Sequence, residues 1–193
     1  MAESEIINKL IGINGEQQVF VSEPMSRHTT FRIGGPAKIF VSPDNIEKII
    51  KTIELLKKEE EEYFVIGNGS NILVADEGYD GIVVSTENLK NVNIEKEDGE
   101  LTYIYAEAGA MLSKVSVLAS EGSLTGFEFA GGIPGTIGGA VSMNAGAYGG
   151  EIKDVIVSAD VLMDDGKVIK FTKDELELSY RNSIIQKEKL IVL

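Results

Sequence analysis

The spacing of apolar residues changes twice in the first third of the chain, and each change predicts a new element. Short apolar runs at residues 38–41 and 63–66 are typical of buried strands. Asp44 and Glu47 fit a capping box at the start of a helix between these runs. Apolar residues recur at the three- and four-residue spacing of an amphipathic helix that extends to about residue 61: Ile46, Ile49, Ile50, Ile53 and Leu56. The pattern therefore predicts a β-α-β unit.

Strand-like runs dominate the rest of the chain, with one clear helix among them. Apolar residues at helical spacing predict a helix at residues 111–121, which Gly122 ends. An Asp-Asp-Gly turn at residues 164–166 predicts a hairpin. Thr172 and Glu175 fit a second capping box, which predicts a short helix after the hairpin. Strands are predicted at residues 72–74, 82–85, 101–108, 155–163, 168–171 and 190–193.

Composition removes several kinds of chemistry from consideration. The 193 residues include no cysteine, no tryptophan and one histidine. Without cysteine, the chain has no disulfide, no thiolate metal ligand and no cysteine nucleophile. A single histidine leaves little room for a zinc site or a Ser-His-Asp triad, and no metal site is predicted. The length allows one domain or two small ones.

The charge balance of the chain is strongly acidic. Lys and Arg total 18 and Asp and Glu total 31, which gives a formal net charge of −13. Nucleic acids and anionic membrane surfaces select clustered Lys and Arg, so neither is an expected partner. The first ten residues lack the basic and apolar segments of a signal peptide, and no stretch approaches the about 20 apolar residues of a membrane span. We therefore expect a soluble, cytoplasmic protein.

A loop of small residues follows the predicted strand at residues 63–66 and has the sequence Gly67-Asn68-Gly69-Ser70-Asn71. Small residues allow backbone N–H groups to converge on an anion, and Asn and Ser add side-chain donors. The loop is not a Gly-x-Gly-x-x-Gly dinucleotide motif, because Ile72 stands where the third glycine belongs, and it is not a P-loop. From the spacing alone, anion binding and a plain tight turn are both open.

A second segment, residues 122–150, carries one charged side chain, Glu128, and ten of the 21 glycines. Where side chains are missing, backbone can touch a flat or extended ligand, and Thr136, Ser142 and Asn144 can supply hydrogen bonds. The alternative is close packing of helix on sheet, which explains one or two of the glycines. If the 67–71 loop or this segment holds a phosphate, we expect hardly a cation nearby, so that N–H dipoles must attract the phosphate.

Two single basic residues are further candidates for function. Arg181 is one of only three arginines and lies in the segment 179–183, between two strand-like runs. It is either a functional cation or one partner of a surface salt bridge. His28 precedes the sequence Thr-Thr-Phe-Arg-Ile-Gly-Gly, and we favour a structural role for it.

Four motifs, in order along the chain, resemble those of the UDP-N-acetylenolpyruvoylglucosamine reductases, which are flavoenzymes of peptidoglycan precursor synthesis. They are residues 28–37 (HTTFRIGGPA), 67–71 (GNGSN), 132–140 with 144–149 (GIPGTIGGA and NAGAYG), and 180–183 (YRNS). Any one of these motifs alone is weak evidence. Four of them in family order, over nearly the whole chain, are highly specific.

The resemblance implies an α+β fold of the FAD-binding vanillyl-alcohol-oxidase (PCMH) type. In this fold two α+β subdomains, residues 1–90 and 91–193, clasp the flavin. The resemblance also implies that Gly67, Asn68, Gly69, Ser70 and Asn71 bind the FAD pyrophosphate. A second set of residues is implied to lie along the flavin: Gly132, Ile133, Pro134, Gly135, Thr136, Gly138, Gly139, Ala140 and Asn144.

The reaction implied by the resemblance has two halves. NADPH reduces FAD, and the reduced flavin passes hydride to C3 of the enolpyruvyl group of UDP-N-acetylglucosamine enolpyruvate. Protonation at C2 then gives UDP-N-acetylmuramate. Arg181 matches the family's active-site arginine and would stabilise the negative charge that arises on C2 and the adjoining carboxylate. Tyr148 is a second candidate for binding this small-molecule substrate.

Two functional residues of the family, a proton-donating serine and a late glutamate, have no counterpart in this chain. The resemblance places both in a C-terminal substrate-binding domain, which is expected to follow the apolar run at residues 190–193. We therefore expect this chain to be the FAD-binding portion of a longer reductase, monomeric and inactive by itself.

Two other functions stay open from the sequence. One is a different FAD-dependent oxidase or dehydrogenase of the same superfamily. This function is disfavoured because the chain has no cysteine, and only His28, to which FAD could be attached covalently. The other is a non-catalytic flavin-binding module, which would make no use of Arg181.

Overall fold

The computed structural model describes residues 3–193 and divides the chain into two compact units. Unit 1 contains the described residues up to Asn88, and unit 2 contains Leu89–Leu193. The boundary expected from the resemblance, between residues 90 and 91, lies two residues from this division. Each unit has helices as well as strands, and each has its own hydrophobic core.

Unit 1 is a four-stranded mixed sheet with two α-helices. The strand order is β1-β2-β4-β3, in which β1 runs antiparallel to β2, and both β2 and β3 run parallel to β4. Short 3₁₀ helices at Glu16–Gln18 and Met25–Arg27 flank the first strand. The remaining elements are α1 (Glu3–Asn14), β1 (Val19–Pro24), β2 (Pro36–Val41), α2 (Ile46–Lys58), β3 (Tyr63–Ile66) and β4 (Tyr79–Ser85).

The core of unit 1 joins the sheet to the helices. The predicted helical stripe is confirmed, because Ile49, Ile53 and Leu56 of α2 are all fully buried. A second cluster on the sheet consists of Met25, Ala37, Phe40, Ile66 and Val83. These side chains come from β2, β3 and β4 and from the 3₁₀ turn after β1, so the cluster secures the turn that leads into the 28–35 segment.

Two local predictions in unit 1 are wrong. The helix α2 is capped by Asn45, whose Oδ1 accepts the backbone N–H of Lys48 at 2.9 Å, and not by an Asp44–Glu47 capping box. Residues 72–74 form no strand. The chain beyond them is held by a loop-to-loop hydrogen bond, in which the Gly35 N–H donates to the Ala75 carbonyl at 2.8 Å.

Unit 2 combines a three-stranded antiparallel sheet, ordered β10-β9-β11, with two separate hairpins and four short helices. The hairpins pair β5 with β6 and β7 with β8. A 3₁₀ helix covers Glu128–Ala130. The elements are β5 (Val92–Asp98), β6 (Leu101–Ala106), α3 (Leu112–Glu121), α4 (Ile137–Met143), β7 (Gly146–Ala147), β8 (Gly150–Glu151), α5 (Ile152–Val155), β9 (Ser158–Leu162), β10 (Val168–Thr172), α6 (Ile184–Lys187) and β11 (Ile191–Val192).

The second predicted capping box is present, but the helix that it should begin is not. The Thr172 backbone N–H donates to the Glu175 carboxylate at 2.8 Å and the Thr172 hydroxyl donates at 2.7 Å, and these bonds lower the pKa of Glu175 below its ordinary value. Residues 173–177 then form turns. Leu176 is fully buried in the unit 2 core, so tertiary packing takes this segment away from helical geometry.

Candidate functional site

The structure brings two of the sequence motifs of unit 1 into direct contact. The Thr30 backbone N–H donates to the Gly69 carbonyl at 3.1 Å, which joins the 28–35 segment to the 67–71 loop. Gly69 has a φ of +57°, and a Cβ at this position would stand 2.0 Å from the His28 carbonyl oxygen. Only glycine permits both this backbone conformation and this approach. Gly69 is therefore needed for the 28–35 segment to pack against the 67–71 loop.

A cavity of about 300 Å³ lies in unit 1 where these motifs meet. From the 67–71 loop, Gly67 and Asn68 line it, while Gly69, Ser70 and Asn71 do not. The remaining lining residues come from the first motif and from strand ends: Arg27, His28, Thr29, Thr30, Arg32, Ile66, Ser85 and Glu87. In the part of the chain that the structure describes, the backbone N–H groups of residues 67–70 donate no hydrogen bond. Those of Gly67 and Asn68, which line the cavity, are available to an anion.

Two guanidinium groups line this cavity, which corrects one expectation from the sequence. The 67–71 loop was expected to have hardly a cation nearby, but Arg27 and Arg32 both contribute to the cavity wall. Arg27 is mostly exposed, and its Nη1 lies 3.4 Å from the Glu23 carboxylate. Arg32 has a φ of +56°, an uncommon conformation for a residue with a side chain. The cavity therefore offers positive side chains as well as N–H dipoles.

His28 is held by two contacts on the wall of the cavity. Its ring stacks on Phe40 with 3.8 Å between the ring centroids, and its Nε2 lies 3.0 Å from the Glu23 carboxylate. Phe40 is fully buried in the unit 1 core. Both contacts support the structural role that we favoured for this histidine.

In unit 2, several glycines of the 122–150 segment are explained by internal packing. A Cβ on Gly138 would lie 2.9 Å from the Ala108 Cβ, and a Cβ on Gly150 would lie 2.9 Å from the Phe129 ring. A Cβ on Gly146 would lie 2.6 Å from the Gly150 carbonyl oxygen. Gly132, in contrast, has open space at its Cβ position. Packing thus explains more of these glycines than the one or two expected.

The start of α4 uses its backbone donors internally. The Ile137 N–H donates to the Ala110 carbonyl at 2.8 Å, and the Gly138 N–H donates to the Ala108 carbonyl at 2.8 Å. Thr136 precedes the helix in extended conformation, and its Oγ1 is buried without a hydrogen-bond partner among the residues described. A buried hydroxyl with no partner costs free energy, so the Thr136 hydroxyl is left unsatisfied at this turn.

The other predicted residues of the segment divide between core and surface. Ala140 is buried, Ile133 packs partly against the unit 2 core, and the Gly135 carbonyl accepts the Leu112 N–H at 3.0 Å. Pro134 and Gly139 are exposed. Of the predicted set in unit 2, Gly132, Pro134 and Gly139 are thus the residues that offer open surface.

Asn144 caps the carboxyl end of α4 in the left-handed conformation, with φ +44°, and is 3% exposed. Its Nδ2 donates to the Glu151 carboxylate and, at 3.1 Å, to the Ser179 carbonyl. Its Oδ1 accepts the Lys153 N–H at 2.9 Å. The side chain predicted to contact a cofactor is therefore fully engaged within unit 2.

Tyr148 and Arg181 lie at the tips of two tight turns. Tyr148 connects β7 to β8 with a φ of +53° and is 97% exposed. Arg181 has a φ of +53° in a turn closed by reciprocal hydrogen bonds between Ser179 and Asn182, at 3.0 and 3.1 Å. Arg181 is exposed and has no ion-pair partner in the described chain, which argues against the surface salt bridge considered above.

Some of the cavity residues were not identified from the sequence. Arg27, Arg32, Ser85 and Glu87 were not among the predicted site residues, although all four line the cavity. A signal did exist for the arginines, because two of the three arginines of the chain lie close together, Arg27 just before the first motif and Arg32 within it. Within residues 3–193 no cluster of three metal-ligating side chains occurs, and no helix is long and apolar enough to cross a membrane.

Comparisons with known proteins identify the family to which the chain is similar. The FAD binding domain family matches residues 37–172. The UDP-N-acetylenolpyruvoylglucosamine reductase of Alkaliphilus metalliredigens is 45% identical over 194 aligned positions, which cover 100% of this chain and 62% of that protein. The chain therefore spans less than two thirds of the length of this relative.

Solved structures give the same picture of the fold. The crystal structure of UDP-N-acetylenolpyruvylglucosamine reductase from Thermus caldophilus is similar with a TM-score of 0.70 at 30% identity, over 91% of this chain and 59% of that one. p-Cresol methylhydroxylase is similar in fold, with a TM-score of 0.59 at 15% identity over 86% of this chain and 35% of that one. The predicted α+β fold of the FAD-binding type is confirmed.

Proposed function

The chain belongs to the FAD binding domain family, and from this membership we propose that it is the FAD-binding part of a reductase that acts on UDP-N-acetylglucosamine enolpyruvate. NADPH is the proposed reductant. The relatives that match the chain over its whole length support the choice of substrate, since their names describe this reductase. The net charge of −13 supports a small-molecule partner rather than a nucleic acid. A soluble, cytoplasmic monomer is the proposed form.

The residues of unit 1 fit the pyrophosphate of FAD. The cavity of about 300 Å³ offers the N–H groups of Gly67 and Asn68, which donate no hydrogen bond within the described chain, and two guanidinium groups, Arg27 and Arg32. Guanidinium binds phosphate oxygens through paired, charge-assisted hydrogen bonds, and converging N–H groups bind the same oxygens without a cation. Two kinds of donor in one cavity suit a group with two negative charges. We propose that Gly67 and Asn68 contact the pyrophosphate and that Gly69, Ser70 and Asn71 shape the loop.

In unit 2, we propose that the exposed backbone of Gly132, Pro134 and Gly139 lies along the flavin ring. The other members of the predicted set would then support this surface from behind: the buried Thr136 and Ala140 and the half-buried Ile133, Gly135 and Gly138. FAD, when bound, supplies the hydride-carrying chemistry that no side chain of this chain provides. The contribution of the protein is to bind the ring and to orient it against the substrate.

The exposed side chain of Arg181, which has no partner among the described residues, is the main support for the reductase proposal. Arg181 stands in a turn whose backbone adopts a positive φ. Strained positions of this kind persist where the surrounding structure enforces them and are concentrated at functional sites. A guanidinium with no internal partner can stabilise the charge that arises on the substrate carboxylate as hydride arrives at C3. Tyr148 is the second proposed substrate contact.

Flavin spectroscopy on the purified chain tests this proposal. Titration with FAD should quench flavin fluorescence and give a saturable, protein-bound oxidised flavin spectrum. NADPH should then bleach the bound flavin. In a longer reductase that contains this chain, the enolpyruvyl substrate should restore the flavin absorbance under anaerobic conditions, whereas the chain by itself should not complete this step. A chain that cannot be loaded with FAD would contradict the cofactor assignment. Bleaching without any recovery on substrate addition to the longer reductase would contradict the reductase assignment.

The role of Arg181 is tested by substitution in the same assay. Arg181→Ala should slow the substrate-driven recovery at least 100-fold, about 2.7 kcal/mol of transition-state stabilisation, while FAD loading stays within about twofold. Arg181→Lys should recover part of this loss, because it retains the charge but not the planar fork. Lys187→Ala removes an exposed cation that is paired with Glu177, and serves as the matched control. Equal recovery rates in Arg181→Ala and in the control would show that the arginine has no catalytic part.

A further inference from the structure

Asn144 lies at the centre of a hydrogen-bond network that joins three segments of unit 2. Its amide donates to the Glu151 carboxylate in β8 and to the Ser179 carbonyl, and its Oδ1 accepts the N–H of Lys153 in α5. At 3% exposure the side chain has no open face toward solvent or a ligand. A buried amide with all these bonds made acts on its surroundings through position, not through contact with a substrate.

The Ser179 carbonyl is the point where this network reaches the turn that carries Arg181. The same carbonyl accepts the Asn182 N–H at 3.1 Å, and the Ser179 N–H donates to the Asn182 carbonyl at 3.0 Å. Asn144 therefore fixes one end of a four-residue turn whose two central residues are exposed.

The other end of the turn is tied to the same helix. The Ser183 hydroxyl donates to the Ser142 carbonyl of α4 at 2.5 Å, and Ser183 is fully buried. Ser183 also begins α6, where its Oγ accepts the Gln186 N–H at 3.4 Å. The Arg181 turn is thus held on both sides by the carboxyl end of α4.

We infer that Asn144 is a positioning residue for Arg181, an inference that rests on the reductase function proposed above. Arg181 has no partner of its own among the described residues, so its reach toward a substrate is set by the backbone of its turn. Displacement of a catalytic group by about 1 Å can cost about 100-fold in rate. Asn144 prevents such a displacement by holding the Ser179 carbonyl to the end of α4.

Asn144→Gly isolates this role, because glycine adopts the φ of +44° without strain and only the side chain is lost. The matched control is Asn14→Ala in unit 1, which removes a buried amide bonded to the Leu10 carbonyl and the Thr52 hydroxyl. Both variants lose buried hydrogen bonds, but only the first loses the link to Ser179.

Hydrogen exchange of the Ser179 and Asn182 amides measures the turn directly and needs neither substrate nor activity. In Asn144→Gly, exchange of both amides should be at least tenfold faster than in the wild type. In Asn14→Ala, both amides should exchange at the wild-type rate. Unchanged protection of the two amides in Asn144→Gly would overturn the inference, whatever the catalytic results.

The flavin assay on a longer reductase that contains this chain measures the consequence for Arg181. In Asn144→Gly, NADPH-driven bleaching should stay within about twofold of the wild type, whereas substrate-driven recovery should slow at least tenfold. If Asn144→Gly showed faster amide exchange in the turn but a wild-type rate of substrate-driven recovery, the positioning role would be overturned. If the wild type itself shows no recovery, the proposed reductase function has failed, and the hydrogen-exchange result still decides whether Asn144 holds the turn.

A paired substitution separates the two bonds that the Asn144 amide donates. Asn144→Asp loses both donors and faces the Glu151 carboxylate. In the double variant, Glu151→Gln supplies an amide that can donate to the new carboxylate at position 144. This bond should restore hydrogen-exchange protection to the β7–β8 hairpin. The double variant should not restore protection of the Ser179 and Asn182 amides, and it should not restore the rate of substrate-driven flavin recovery. Full restoration of the recovery rate would assign the effect to the hairpin and overturn the inference.

Discussion

The two glycine-rich regions of this chain look alike in sequence but differ in what their backbone donors do. In the 67–71 loop of unit 1, the N–H groups of residues 67–70 donate no hydrogen bond within the described chain, and two arginines line the cavity beside them. In the 122–150 segment of unit 2, the first donors of α4 are bonded to the carbonyls of Ala108 and Ala110. The 67–71 loop thus has backbone donors that remain free for an anion, whereas much of the 122–150 segment packs within unit 2.

The difference shows that a count of glycines does not separate ligand binding from packing. Gly138 and Gly150 lack a side chain because Ala108 and the Phe129 ring already occupy the space that a Cβ would need. Gly132 has no such neighbour. A glycine that serves a ligand differs from one that serves packing in its backbone hydrogen bonds and in the space at its Cβ position. Both features depend on the folded chain.

The largest expected effect is that of Gly69→Ala, which tests whether the unit 1 loop depends on close approach. A Cβ would lie 2.0 Å from the His28 carbonyl at a φ of +57°. We expect a loss of about 3 kcal/mol in the free energy of unfolding, measured by denaturant titration, together with loss of FAD binding.

Gly132→Ala is the matched control in unit 2, because its Cβ position is open and its φ is not positive. It should change the free energy of unfolding by no more than about 0.5 kcal/mol. Equal losses in the two variants would remove the distinction between the regions.

The next effect tests the claim that Gly138 serves packing. A Cβ here would lie 2.9 Å from the Ala108 Cβ and 3.2 Å from its carbonyl oxygen, so Gly138→Ala should cost about 1–3 kcal/mol in thermal or denaturant unfolding. Gly139→Ala, in the same helix with its nearest neighbour at 3.6 Å, should instead stabilise by about 0.5–1 kcal/mol. A stabilising Gly138→Ala would contradict the packing role of this glycine.

A smaller effect tests the role of the cavity arginines. Arg27→Gln and Arg32→Gln should each weaken FAD binding about tenfold, or about 1.4 kcal/mol, by loss of charge-assisted hydrogen bonds to phosphate. The loss should shrink at high salt, because added ions screen the exposed charges. Lys38→Gln removes a cation of the same unit that lies 3.7 Å from Asp80 and should leave FAD affinity unchanged, as fluorescence quenching would show.

The smallest effect concerns Thr136. Its buried hydroxyl has no partner among the described residues, so Thr136→Val should leave the free energy of unfolding within about 0.5 kcal/mol of wild type, or raise it. Thr52→Val in unit 1 removes a buried hydroxyl bonded to Asn14 and should cost about 1 kcal/mol. If Thr136→Val lowered FAD affinity while stability was unchanged, the hydroxyl would bind the cofactor.

Local sequence patterns predicted the regular elements well where one face of an element meets one core. The α2 stripe, the α3 helix ending at Gly122 and the β9–β10 hairpin all follow from periodicity and turn residues. Prediction failed where tertiary contacts override local preference. Residues 72–74 are apolar but stay irregular, and Thr172 with Glu175 forms a capping box that no helix follows.

The sequence by itself determined the α+β composition of the chain, the order of its motifs and the family to which these motifs point. Only the tertiary structure decided that Arg27 and Arg32 line the cavity beside Gly67, and that the side chain of Asn144 is used within unit 2. The physical reason is that periodicity reports which face of an element is buried. The partner of a given N–H or guanidinium is set by the path of the chain between residues far apart in sequence.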